Sequence, residues 1–252
     1  MRTDSVLFLF AHQDDEFGVL HQIEQEVKSG SSIFCAYTTS GVSTGADPKR
    51  RNAESRHVLE ALGIDPMQIL FVGETLNIPV EQSLAHVTIL RSWLSTWTQE
   101  QQQYLSAIYV PAWEGGHPDH DVINAVAVQV MQYGRSRTNI WQYPLYNCNG
   151  LNWGFFNVLT PLVMNGEVHR QKIPWSARLR HLKLCLNYRS QVTSWLGLYP
   201  VVLWHYLFKG WQSLQPASLT RLQERPHSGR LYYEFRQFSE WKVVSSCLRQ
   251  DF

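Results

Sequence analysis

Residues 6–10 (VLFLF) form an unbroken apolar run, too short to cross a membrane and about as long as a strand buried on both faces. Amphipathic spacing then predicts a helix over 16–29, with Val19, Leu20, Ile23 and Val27 on one face and Gly30 as its stop. A second β-rich run covers 32–39 and ends in a loop of Ser40, Gly41, Ser43 and Gly45. Asp47 and Pro48 open the next predicted helix, which runs to Leu62 with Val58, Leu59 and Leu62 inward. Strands are predicted at 69–72, 107–111 and 139–143, separated by helices over 81–103 and from Pro118 to about Tyr133. Strands alternating with helices imply parallel β-α-β units.

The alternation stops after Leu145. Residues 147–165 read as loop, 175–195 as helix, and 195–207 as the most apolar stretch of the chain, interrupted by Pro200. That stretch falls short of the roughly 20 residues a spanning helix needs. Core helix, hydrophobic lid and shallow membrane contact all remain open, with burial or a lid favoured. Residues 231–238 alternate weakly and are expected as a late edge strand. No Pro/Ser/Gly linker divides the 252 residues. The expectation is one domain, with an α/β core over 1–145 and a C-terminal extension over 146–252 that supplies substrate walls. The fold class expected is α/β: a mostly parallel sheet with helices on both faces, plus an irregular, aromatic-rich extension.

Composition changes this picture little. A hydrophobic share of 44% against 17% charged allows a sizeable core. The net charge of +1, with no Lys/Arg run, gives no electrostatic case for nucleic acid. The four cysteines lie far apart with no CxxC pair, and the N-terminal run has no small-residue cleavage site, so a cytoplasmic setting is expected.

The chemistry sits where two predicted strands end. His12, Gln13, Asp14, Asp15 and Glu16 follow the first strand, and His117, Pro118, Asp119, His120 and Asp121 follow the fourth. Open α/β sheets hold ligands at the carboxyl ends of their strands, and in a parallel sheet those ends lie on one side, so the clusters can converge. Asp14 could simply cap a helix, but one cap needs one carboxylate. The sharper reading is a metal site with His12, Asp15 and His120 as ligands. Such a set suits Zn2+ and does not exclude iron, cobalt or manganese. Asp14 would be the base for a metal-activated water attacking an acyl carbonyl. His117, supported by Asp119, would stabilise the oxyanion or protonate the leaving amine; alternatively, both only support His120. Among ten tryptophans, Trp113 beside the second cluster could stack on a ring of a bound substrate, as could Trp153, Trp204 or Trp211; packing in the core is the competing use of each.

Ala11-His12-Gln13-Asp14-Asp15-Glu16 and His117-Pro118-Asp119-His120 resemble the two signature motifs of the PIG-L/LmbE-like deacetylases. Arg51-Asn52-Ala53-Glu54 and Leu62-Gly63 match further family features, and Arg189-Ser190-Gln191 a weaker one. The resemblance covers about residues 5–145. It implies a Rossmann-like, zinc-dependent enzyme that removes acetyl from N-acetylglucosamine-like units or their conjugates. It also implies His12, Asp15 and His120 as ligands, Asp14 as base, His117 as acid or electrostatic partner, and Arg51 as a substrate contact. Arg51 could instead be a solvated helix residue paired with Glu54. Two positions depart from the pattern. Gln13 stands where proline is commoner, and Gly115-Gly116 where some members carry an oxyanion-assisting tyrosine. The alternatives are an amidase acting on a non-sugar or thiol-conjugate amide, and a catalytically silent sugar-binding protein. The expected partner is an N-acetylated sugar or glycoconjugate. No transmembrane segment is expected, peripheral membrane contact stays possible, and the oligomeric state is not legible.

Overall fold

The computed structural model describes residues 4–101, 104–134, 138–151 and 156–249. Its centre is β1 (Ser5–Phe10), buried along its whole length. Side chains alternate across a strand, so Val6, Phe8 and Phe10 meet Leu20, Ile23, Val58 and Leu59 on one face, while Leu7 and Leu9 meet Leu90, Leu94, Val122 and Val126 on the other. A strand without a polar face thus ends up inside a sheet covered on both sides.

Along the chain follow α1 (Leu20–Ser29), β2 (Ser32–Tyr37), α2 (Lys49–Ala61), β3 (Ile69–Leu70), α3 (Val72–Thr75), α4 (Val87–Gln101), β4 (Leu105–Pro111), α5 (Pro118–Tyr133) and β5 (Asn139–Tyr143). These five strands are parallel in the order β3-β2-β1-β4-β5. The chain winds outward from β1 to β3, then crosses back to β4 on the other side of β1. The strand order therefore reverses between β1 and β4, which is where open α/β sheets form a ligand crevice.

Two predicted helices start late. The first regular turn after β1 is a 3-10 turn, Asp15–Gly18, before α1. Asp14 makes no capping bond there, and it is Asp15 whose Oδ2 accepts the Ala11 and His12 N–H groups at 2.9 and 2.8 Å. Likewise the N–H groups of Glu81 and Ser83 are taken by the Asp119 carboxylate, and α4 begins only at Val87, after a 3-10 turn over Ser83–His86.

The C-terminal part holds β6 (Tyr146–Asn147), β7 (Asn157–Val158), β8 (His169–Lys172), α6 (Trp175–Cys185), α7 (Val192–Trp204), β9 (Trp211–Pro216), α8 (Tyr232–Phe235) and α9 (Trp241–Arg249). β9 pairs antiparallel with β5, and β8 antiparallel with β9, so the extension continues the core sheet to seven strands. Neither strand carries an apolar signal. β8 is HRQK, fully exposed, while β9 buries Gln212 and Gln215 by donating to the carbonyls of Gly18 at 2.8 Å and Leu162 at 2.9 Å. The strand expected over 231–238 is instead the short helix α8, because Glu234 folds back to accept the N–H groups of Leu231 and Trp241. Pro200 does not end α7, which runs through it and continues as a π-turn, His205–Lys209.

Candidate functional site

Both polar clusters rise from the carboxyl ends of β1 and β4, which are paired neighbours. His120 Nε2 lies 3.1 Å from Asp15 Oδ1 and 3.2 Å from His12 Nδ1, and His12 Nδ1 is 3.7 Å from Asp15 Oδ1. Ligand atoms about 2.0–2.1 Å from a tetrahedral zinc stand roughly 3.3 Å apart. Two imidazole nitrogens and one carboxylate oxygen thus form a triangle of the size one such ion requires. All three residues are buried.

A second triad, His12, His117 and Asp119, is also close enough to hold an ion. Its donors are already committed. Asp119 accepts from the Glu81 N–H at 2.7 Å and the Ser83 N–H at 3.1 Å, and pairs with His12 Nε2 at 3.0 Å. His117 Nδ1 accepts the Asp119 backbone N–H at 3.2 Å. With its Nε2–H given to Asp119, His12 in its neutral form would present the Nδ1 lone pair toward Asp15 and His120. A carboxylate behind a ligating imidazole is the usual support of a metal-bound histidine.

The charges agree with that reading. Burial alone would lower the His12 pKa, but Asp15 and Asp119 outweigh it and raise it to about 10. Burial would raise Asp15, yet His120 and His12 hold it well below the carboxylate range. Buried acids here hold a proton on an imidazole, the position a cation would otherwise neutralise. Burial also pushes His117 well below the ordinary histidine value, with His12 adding to the effect against Asp119. The Asp119 carboxylate, expected beside His117, lies nearer His12: its distance to His117 Nδ1 is 3.6 Å against 3.0 Å to His12.

Asp14 stands beside the triangle. Its Oδ1 receives Arg51 Nη2 at 3.1 Å and its Oδ2 the Trp195 indole N–H at 3.2 Å. Burial raises its pKa, opposed chiefly by Arg51. Arg51 is buried, not solvated, and also donates to the carbonyls of Gly41 and Gln13. Glu54 leaves Arg51 and instead accepts the Ser190 N–H at 2.9 Å and its hydroxyl at 2.5 Å. The Arg-x-x-Glu pair therefore joins the loops at 13 and 41 to the turn that precedes α7. Gln13 is fastened by donating to Asn52 Oδ1 at 2.8 Å, which ties down the loop where proline would stiffen it. Glu16, the last motif residue, points away and accepts the Tyr37 hydroxyl and, at 3.3 Å, that of Tyr188.

A cavity of about 660 Å³ opens over Asp14, His12, Asp15 and His117. Its walls include Val42, Ser43 and Glu81 from core loops, Tyr146 and Phe156, Thr193, Ser194 and Leu198 of α7, and Tyr232, Arg236 and Phe238. Trp113 is not among them. Its ring is 1% exposed, stacks edge-on to Trp241 at 5.7 Å and donates its N–H to the Glu224 carbonyl at 3.1 Å. Trp204 and Trp211 also lie off the cavity, and Trp153 lies outside the described residues. No motif pointed to Trp195, Tyr146 or Tyr232; the contacts of all three depend on how the C-terminal part folds back. Glu114 was missed as well. It accepts the Leu145 and Tyr146 N–H groups at 2.7 and 2.9 Å, pinning the chain after β5 to the second cluster, and burial lifts its pKa to about 7.

Residues 7–131, which carry both clusters, match the family model described as PIG-L, GlcNAc-PI de-N-acetylase. The chain carries a PIG-L domain. No curated protein matches it in sequence. Its fold is similar to that of teicoplanin deacetylase Orf2, solved in a zinc-inhibited form, at 13% identity and a TM-score of 0.64, covering 85% of this chain and 98% of that one. It is also similar to N,N'-diacetylchitobiose deacetylase from Pyrococcus horikoshii, at 14% identity and a TM-score of 0.65, covering 89% and 88%. At these identities the likeness is one of fold. The PIG-L domain ends at α5, and the cavity walls beyond it belong to the remainder of the chain.

Proposed function

We propose that this protein is a zinc-dependent hydrolase that removes the acetyl group from an N-acetylated amino sugar or its conjugate. The observation carrying the reading is the triangle of His12 Nδ1, Asp15 Oδ1 and His120 Nε2, of which His12 and Asp15 line a cavity together with Asp14 and His117. Those three residues would hold the ion; Fe2+ or Co2+ would also suit the donors. When bound, such an ion supplies a Lewis acid and makes water acidic enough to act as a nucleophile near neutral pH.

The chain's own groups do the rest. Asp14, oriented by Arg51 and Trp195, takes a proton from the attacking water and returns it to the leaving amine, so that amide and water become acetate and free amine. His117 accepts at Nδ1, which leaves its proton on Nε2. A neutral imidazole of that kind suits hydrogen bonding to the developing oxyanion, not proton delivery. Asp119 acts through His12 as a positioning residue. Arg51 has only its Nε unpaired, so its part is chiefly to hold Asp14 and the Gly41 loop.

The PIG-L match and the deacetylase neighbours support an acetyl group on an amino sugar as the group removed. The four cysteines are free, which fits a cytoplasmic setting. Acetate release from a panel of N-acetyl sugars, nucleotide sugars and lipid-linked sugars tests the reading. Release from at least one, lost in Asp14→Asn, is expected; release only from non-sugar amides would favour the amidase.

A further inference from the structure

We propose that the outward face of α6 and α7 docks on an anionic lipid bilayer, lying flat at headgroup depth beside the cavity mouth. α7 is apolar almost all round. Trp195, Leu198 and Val202 are buried, but Val192, Leu196, Trp204 and, in the π-turn, Phe208 are exposed, Leu196 by 72% and Phe208 by 66%. These exposed positions recur every fourth residue or a multiple of it, so they form one strip. The neighbouring strip of the same helix, Thr193, Ser194 and Gly197, lines the cavity. α6 adds exposed Trp175 and Leu179, and the residue that ends it, Leu186, is exposed as well. Isolated apolar side chains on a surface are ordinary; a row of them along one helix marks a contact surface.

Charge selects the occupant. Between Glu167 and Glu224 there is no Asp or Glu, while eight Lys and Arg fall there, in a chain whose net charge is +1. Arg170, Lys172, Lys183, Arg189 and Lys209 are exposed, and among the described residues none of these five forms an ion pair with a carboxylate. A second copy of this face would bring cations against cations. Anionic headgroups would neutralise them, and Trp204 and Trp175 are suited to the same depth. The contact is shallow. α7 is about 20 Å long, and among the described residues no helix is long and apolar enough to cross a membrane. Pro200 also has no N–H to give the Leu196 carbonyl, which at headgroup depth can be met by water.

This inference stands apart from the hydrolytic reading, and its test reads lipid binding alone. The whole protein is floated with phosphatidylcholine vesicles, with and without phosphatidylglycerol. Flotation with the anionic vesicles that weakens as salt rises is expected. L196E/F208E should lower partitioning roughly 10-fold or more. K183E/K209E should lower it on the anionic vesicles by about 10-fold. Both variants should keep the circular dichroism melt; if L196E fails to fold, Leu196→Ser tests the same contact. Wild-type protein left wholly unbound at low salt would overturn the proposal. So would equal binding to pure phosphatidylcholine, or a dimer in sedimentation velocity that L196E dissolves.

Discussion

The indole N–H of Trp195 donates to Asp14 Oδ2 at 3.2 Å, joining α7 to the first motif across 181 positions of sequence. The bond favours the ionised carboxyl, against the burial that raises its pKa. Trp195→Phe should therefore raise the Asp14 pKa and move the acidic limb of the pH–rate profile upward. Metal content should not change. A limb that stays in place would remove this bond from the account.

Asp14 itself touches none of the three proposed ligand atoms through a hydrogen bond, since its oxygens are taken by Arg51 and Trp195. Asp14→Asn should keep the metal and lose on the order of 10²-fold or more in turnover. Kinetics and metal analysis on the same preparation check this, and near-normal turnover would end its role as base.

The His12 pKa, raised from its ordinary 6.5 to about 10, gives a signed pH dependence. A raised pKa contributes its full stability below 6.5 and loses it as pH climbs through about 10. The metal-free protein should lose thermal stability over that window, and His12→Gln should flatten the slope. Ligation needs the neutral imidazole, so metal uptake near pH 7 should release about one proton. Calorimetry in two buffers of different ionisation heat measures that number.

Glu54 holds the turn before α7 through the N–H and hydroxyl of Ser190. Glu54→Ala should cost about 1–3 kcal/mol in denaturant unfolding, as hydrogen bonds to a charged group do. It should leave the metal in place, because no ligand contacts it. Loss of metal would show that the two regions are not separable in this way.

β1 and the two clusters were legible because their physics is local. A strand with no polar face must be covered on both sides, and a carboxylate-rich cluster at its end has little purpose in packing. The rest depends on contacts made at long range. β8 and β9 carry polar side chains whose burial is repaid by glutamine bonds to distant carbonyls, so no alternation betrayed them. Trp113 drew attention by its place beside the second cluster, but its indole found Glu224 and its ring found Trp241. Trp195 fell in the apolar stretch 195–207 expected as core or lid, but its bond to Asp14 was not legible because that partner is set by how α7 folds back. The same holds for Asp119, next to His117 in sequence yet bonded to His12.

Metal content and acetate release, measured together on wild type and His120→Ala, test the central claim most directly. His120 supplies the Nε2 that closes the triangle with His12 and Asp15. The expected result is about one zinc-like ion per wild-type chain together with acetate release from an N-acetyl sugar, and loss of both in the variant. A variant that still releases acetate at the wild-type rate without bound metal would contradict the account.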